Sequence, residues 1–115
     1  MHEMSYVVRF VNLAIETAEK NDAKAVHSIT VQVGEMTDIE PYYLKHYYPN
    51  AVKGTILEGS VLHVEMVPVR ILCKECGKEY QPSRENYYLC PSCSSGNGRI
   101  LAGRSVELKN MEIET

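Results

Sequence analysis

The sequence predicts an α+β fold in which a small three-stranded sheet with two helices is interrupted by a cysteine-rich insertion. Three observations carry this reading. A helical apolar stripe precedes an alternating strand near the N-terminus, two CxxC pairs lie between residues 70 and 103, and period-2 alternation returns near the C-terminus. A chain of 115 residues is long enough for one core and an appendage, but not for two independent cores.

Between Glu3 and about Asn21, the residues Met4, Val7, Val8, Val11, Ile15 and Ala18 recur at steps of three and four, the stripe of an amphipathic helix. From His27 to Gly34, Ile29, Val31 and Val33 alternate with Ser28, Thr30 and Gln32, which predicts a strand with one buried face. A second helix is expected to begin around Asp38, with Asp38 as its N-cap and Pro41 in its first turn. Pro49 should end or kink it. Tyr42, Tyr43, Leu44, Tyr47 and Tyr48 would then close over the sheet, leaving some phenol rings at the surface. Beyond Gly54 and Gly59, Leu62, Val64 and Met66 share one face of a further strand, with His63 and Glu65 on the other.

Residues Ile71 to Gly103 hold few large aliphatics, so something other than burial must hold them. The final alternation runs through Val106 and Leu108, then Met111 and Ile113, with a slip of parity near Lys109-Asn110 that an inserted bulge residue would cause. This strand is expected to return to the first sheet. The expected division is therefore a discontinuous unit of residues 1–69 plus 104–115 and an inserted unit of residues 70–103.

Hydrophobic residues make up 44% of the chain and charged residues 23%, which excludes a disordered or collagen-like polymer. Twelve Lys and Arg against fifteen Asp and Glu give a net charge of −3, so no global positive field gathers phosphates and nucleic acid is disfavoured. No apolar run approaches the roughly 20 residues of a membrane span, and no basic segment leads into an apolar one, so a cytoplasmic location is expected. Four cysteines in a reducing compartment point to a metal rather than to two disulfides.

Cys73-Lys74-Glu75-Cys76 and Cys90-Pro91-Ser92-Cys93 are separated by 13 residues. The two-residue gap lets both thiolates of a pair reach one ion, and the intervening segment is long enough for a hairpin that joins the pairs. Gly77 suits the tight turn after the first pair. Four thiolates favour Zn(II), with iron as the competing occupant. Because cysteine fills all four positions, the zinc is expected to be structural, with no site for a reacting water. Four thiolates and one divalent ion bring the net charge to about −5.

At the other end, Met1-His2-Glu3 offers a terminal amine, backbone amides and an imidazole within one short segment, ahead of the first helix. Such donors can form fused chelate rings around Ni(II) or Cu(II), and amides at a helix start have no upstream carbonyl to serve. On the residues alone, an exposed histidine is the simpler reading of His2. His27, His46 and His63 read as surface or sheet-face residues.

Several motifs recur in one order: Met1-His2-Glu3-Met4-Ser5, Val33-Gly34-Glu35, Gly54-Thr55 with Leu57-Glu58-Gly59, Pro68 before the first CxxC, Cys90-Pro91-Ser92-Cys93, and the closing Val106-Glu107-Leu108 and Met111-Glu112-Ile113-Glu114. In these the chain resembles the HypA/HybF family of nickel metallochaperones for nickel–iron hydrogenase maturation, over nearly its full length. The resemblance implies Ni(II), as transferred cargo, on Met1, His2 and Glu3, and structural Zn(II) on Cys73, Cys76, Cys90 and Cys93. It implies a HypB-type GTPase and the hydrogenase large-subunit precursor as partners, with urease accessory proteins in some organisms. The closed cysteine site, the charge balance and the lack of a membrane-length apolar run add the expectations of no enzymatic activity and no nucleic acid or membrane partner, and a monomer or weak homodimer is expected. The chain departs from the family pattern at Tyr47-Tyr48-Pro49-Asn50 and at Ser94, where many relatives carry glycine. The competing class is a zinc-ribbon interaction module in a transcription or RNA complex, which the charge balance opposes. A hydrolase is weaker still, since no nucleophile and base can be paired.

Overall fold

The computed structural model describes residues 2–115, the His2 side chain excepted. Helix α1 spans His2–Lys20, strand β1 Ala25–Gly34, helix α2 Pro41–Ala51 and strand β2 Val61–Val67. Short strands β3 (Arg70–Cys73), β4 (Glu79–Tyr80) and β5 (Gly98–Ala102) follow, and β6 (Val106–Glu114) closes the chain. Two three-stranded sheets result, ordered β2-β1-β6 and β4-β3-β5. The α+β expectation holds, with the cysteine-rich segment inserted between β2 and β6.

Val7, Phe10, Val11, Ala14 and Ala18 form the buried face of α1. The stripe predicted from sequence is thus rotated: Phe10 and Ala14 belong to it, while Met4 and Val8 are exposed. At about 100° per residue, Val8 and Ile15 sit at the edge of the arc centred near Val7 and Ala14. Ile29, Val31 and Val33 of β1 are fully buried beneath this face, as their alternation predicted.

β1 is the central strand. It pairs with β6 antiparallel and with β2 in parallel, Ile29 lying opposite Leu62 and Val33 opposite Met66. A parallel pair needs a crossover, and α2 supplies it. The register of β1 with β6 shifts between Thr30 opposite Asn110 and Val31 opposite Leu108, so Lys109 is the extra residue of the expected bulge. A second shift, between Val26 and Ser28, leaves His27 as a bulge in β1 that the alternation pattern does not reveal.

The second helix differs from expectation at both ends. Asp38 is not its N-cap. It takes a left-handed conformation with φ 59° that closes a 3₁₀ turn over Glu35–Thr37. Glu40 is the N-cap and Pro41 the first helical residue. Pro49 lies inside α2 instead of ending it. In the last turn a proline sacrifices only its own bond to Lys45, so the helix runs on to Ala51. Leu44 and Tyr48 are buried one turn apart, and the Tyr48 ring stacks on Phe10 at 6.3 Å. Tyr42 and Tyr43 stay exposed, as expected of part of this aromatic run.

The strands entering and leaving the insertion cross at a narrow junction. Gly34 N–H donates to Ser105 O at 2.9 Å and Met36 N–H to Gly103 O at 2.8 Å. A Cβ on Gly34 would collide with the Gly103 carbonyl and lie 2.7 Å from Arg104 N, and one on Gly103 would lie 2.6 Å from Val69 Cα. Only glycine permits this approach. With extents of 53 × 28 × 16 Å and a radius of gyration of 17.5 Å, the molecule is longer than a compact chain of this size, for which about 13 Å is expected. Among the described residues, no helix is long and apolar enough to cross a membrane.

Candidate metal centre

β3 delivers Cys73 at its last residue, and the chain then turns back so that Cys73 N–H bonds to Lys78 O at 2.9 Å and Gly77 N–H to Cys73 O at 2.9 Å. The second pair repeats the pattern: Cys90 N–H bonds to Ser95 O at 3.0 Å and Ser94 N–H to Cys90 O at 2.8 Å. Each turn requires a left-handed residue after its second cysteine, Gly77 at φ 77° and Ser94 at φ 62°. The correspondence extends to the sulfurs. Cys76 and Glu75 N–H groups bond to Cys73, and Cys93 and Ser92 N–H groups to Cys90. Lys78 N–H serves Cys76 and Ser95 N–H serves Cys93.

The sulfurs meet at one point. Cys73 and Cys93 Sγ lie 3.5 Å apart, Cys76 and Cys90 Sγ 3.6 Å apart, and all four fall within 4.8 Å of one another. Tetrahedral zinc with Zn–S bonds of about 2.3 Å would separate its sulfurs by about 3.8 Å, so the cage fits. Cys73 and Cys90 are buried, while Cys76 and Cys93 face solvent. No disulfide links them.

The electrostatics argue for a cation in the same place. Desolvation opposes the Cys90 thiolate, yet the N–H groups of Cys93 and Ser92 and the neighbouring thiols bring its pKa down to about 7. Ser95 N–H favours the Cys93 thiolate, but Cys73, Cys76 and Cys90 together push this thiol up to about 12. Four thiolates cannot share so small a volume uncompensated, and a divalent ion relieves their repulsion.

Sequence reasoning found all four cysteines and the Gly77 turn. It marked Ser94 only as a departure from a family glycine, without the left-handed role it shares with Gly77, and it missed Asn97, whose carbonyl accepts from Lys74 N–H at 2.9 Å while its side chain donates to Glu75 at 3.2 Å. Both lie in a Ser-Ser-Gly-Asn-Gly stretch whose composition is that of a loop. The symmetry of the two CxxC turns was the signal that could have marked Ser94.

The expected nickel ligands stand differently. Met1 and the His2 side chain lie outside the described residues. Glu3 sits in the first turn of α1. His27 is exposed and pairs with Glu114 at 3.1 Å, and His46 on α2 stacks on Tyr42 and meets Tyr47 edge-on. Among the described residues, the four cysteines are the one group of metal-binding side chains close enough to share an ion.

A family model described as hydrogenase/urease nickel incorporation, metallochaperone HypA, matches residues 1–113. The chain belongs to the HypA family. Similar members include the hydrogenase maturation factors HypA of Aquifex aeolicus, 35% identical over 99% of this chain and 98% of that one, and of Methanothermobacter thermautotrophicus, 37% identical over 99% and 98%. HypA of Methanocella arvoryzae is 38% identical over 99% of each chain. The solution structure of the Ni metallochaperone HypA from Helicobacter pylori superposes with a TM-score of 0.75 at 24% identity over 97% of each chain, which speaks for the fold. A second HypA solution structure gives a TM-score of 0.78 at 25% identity over 98% of this chain and 96% of that one. HypA proteins are nickel metallochaperones of hydrogenase maturation, and the cysteine cluster of this member is built to hold a metal ion.

Proposed function

We propose that this HypA protein binds Ni(II) through the Met1 amine, the His2 imidazole and the backbone amides of His2 and Glu3, and passes it to a nickel–iron hydrogenase large-subunit precursor. A HypB-type GTPase assists the transfer, and urease is a second recipient. The protein works in the cytoplasm and catalyses no reaction of its own. The observation that carries this reading is the match to a nickel-incorporation family over residues 1–113, which takes in the His2 segment.

A surface site of nitrogen donors suits a carrier, because its cargo must leave by ligand exchange. Cys73, Cys76, Cys90 and Cys93 hold a structural Zn(II). When bound, it cross-links residues 70–103 and offers no open coordination position. Residues 1–69 with 104–115 form the nickel-binding unit, and residues 70–103 the zinc ribbon.

Metal analysis of the untagged protein beside His2→Ala tests both assignments. The variant should retain one zinc per chain and lose nickel. Undiminished nickel in His2→Ala would overturn the N-terminal site, and loss of zinc with nickel would overturn the separation of the two.

A further inference from the structure

The sheet β2-β1-β6 ends on β6, whose two faces differ sharply. Register places Val106, Leu108, Met111 and Ile113 opposite Val33, Val31, Ile29 and Val26, on the side of the helices. Glu107, Asn110 and Glu112 stand opposite Gln32, Thr30 and Ser28, on the open side.

The carbonyls of Ser105 and Glu114 accept from Gly34 and Lys24 N–H, at 2.9 and 2.7 Å, and therefore face β1. Backbone groups alternate sides along a strand, and Lys109 absorbs the change of parity in its bulge. The N–H and C=O groups of Val106, Leu108, Met111 and Ile113 consequently point away from β1. Among the described residues, no neighbouring strand takes them.

Beside this edge runs a mainly apolar groove of about 430 Å³, walled by Leu13 and Thr17 of α1 and by Leu108, Met111 and Ile113, with Asn21, Lys109 and Asn110 also lining it. It continues past Leu13 and Leu108 into a second depression of about 400 Å³, where Phe10 and Val106 are joined by Arg9 and Glu107. Leu13 is 47% exposed there. On the open side the cation of Lys109 is held by Glu65 at 3.0 Å, and Glu112 has Ser28 as its hydrogen-bond partner. Among the described residues Glu107 and Glu112 form no salt bridge. Arg9 and Arg104 line the depressions that Glu107 also lines, but the edge stays acidic on balance, with Glu112 and Glu107 free to take a cation.

We propose that β6 and its groove receive an extended segment of a partner protein in which apolar residues alternate with lysine or arginine. The segment adds as a fourth strand, bonding to the outward groups of Val106, Leu108, Met111 and Ile113. Its apolar side chains enter the groove beside Leu13, and its cations lie over Glu107 and Glu112. A second copy of β6 fits poorly, because antiparallel pairing would bring acidic open faces together. This surface uses no residue of either metal assignment.

The test is amide-shift mapping on the isotopically labelled, metal-loaded full chain with three acetylated seven-residue peptides. One alternates Val with Lys, one Val with Glu, and one has Pro in place of the alternate Val residues of the first. The Lys peptide should shift the amides of residues 106–113 and bind at least tenfold tighter than the other two. Glu107→Lys should shrink or invert the Lys-over-Glu preference, and Leu13→Gln should weaken the Lys peptide several-fold without altering the spectrum of the core. Equal binding of the Lys and Glu peptides, or no shift along β6, overturns the proposal. Concentration-dependent broadening of the same amides without peptide, with a dimer in sedimentation, assigns the edge to a second copy and overturns it equally.

Discussion

Ser94 and Gly77 occupy the same place in two matched turns, but only glycine takes a left-handed backbone without a Cβ conflict. Ser94→Gly should therefore stabilise the metal-loaded protein by about 1 kcal/mol, and Gly77→Ala should cost about as much. Chelator competition or thermal denaturation checks both, and a destabilised Ser94→Gly would show that its side chain contributes more than its backbone loses. Tyr48 bears the second residue-level expectation. Burial raises its phenol above the ordinary 10.0, against a smaller lowering by Ser60, whose hydroxyl lies 2.6 Å away. A raised folded-state value means that the contribution to stability is whole below about pH 10 and is lost as pH climbs through that value. Alkaline unfolding should begin above about pH 10, and Tyr48→Phe should flatten that slope while losing about 1 kcal/mol at neutral pH with the Ser60 hydrogen bond. Denaturant titrations across the alkaline range measure it. The CxxC cysteines were legible as residues because their spacing is itself the chemistry. The left-handed turn at Ser94 was legible only by its equivalence to Gly77 after the other CxxC, because a serine carries no mark of its own for a left-handed φ.

At the scale of elements, alternation carried most of the fold. The slip near Lys109-Asn110 was readable as a bulge, since a strand that keeps one buried face can change parity only by inserting a residue. The α2 boundaries were not readable. Asp38 is a good capping residue by type, yet the turn over Glu35–Thr37 takes it, and Glu40 caps through backbone geometry alone. Parallel pairing of β1 with β2 was equally hidden, because each strand's pattern is the same whichever way its neighbour runs. The junction at Gly34 gives this scale its prediction. Gly34→Ala would press a methyl into the Gly103 carbonyl, against backbone atoms alone, where no flexible side chain can yield. A loss of about 3 kcal/mol is expected by thermal or denaturant unfolding, with disorder centred on residues 67–69 and 103–105 in amide exchange. A Gly34→Ala variant as stable as the parent would show that the crossing relaxes freely.

For the whole molecule, the distribution of burial decides what metal removal does. The hydrophobic core draws on α1, β1, α2, β2 and the loop at Leu57, with β6 packed against it, whereas Cys73 and Cys90 are the fully buried hydrophobic side chains described between residues 70 and 103. Chelation should therefore melt β3, β4 and β5 while α1, α2 and the β2-β1-β6 sheet persist. Amide exchange and far-ultraviolet dichroism before and after a strong chelator test this, and simultaneous loss of helix signal would show one cooperative unit. The sequence by itself determined the α+β class, the four thiolates, the return of the last strand and the family, because spacing and period are local properties that burial and coordination read directly. Tertiary structure alone decided the rotation of the α1 stripe, the parallel sense of β2, the glycine crossing and the open acidic edge of β6. Each of these depends on which surfaces meet, and a strand or helix carries the same pattern before it knows its neighbour.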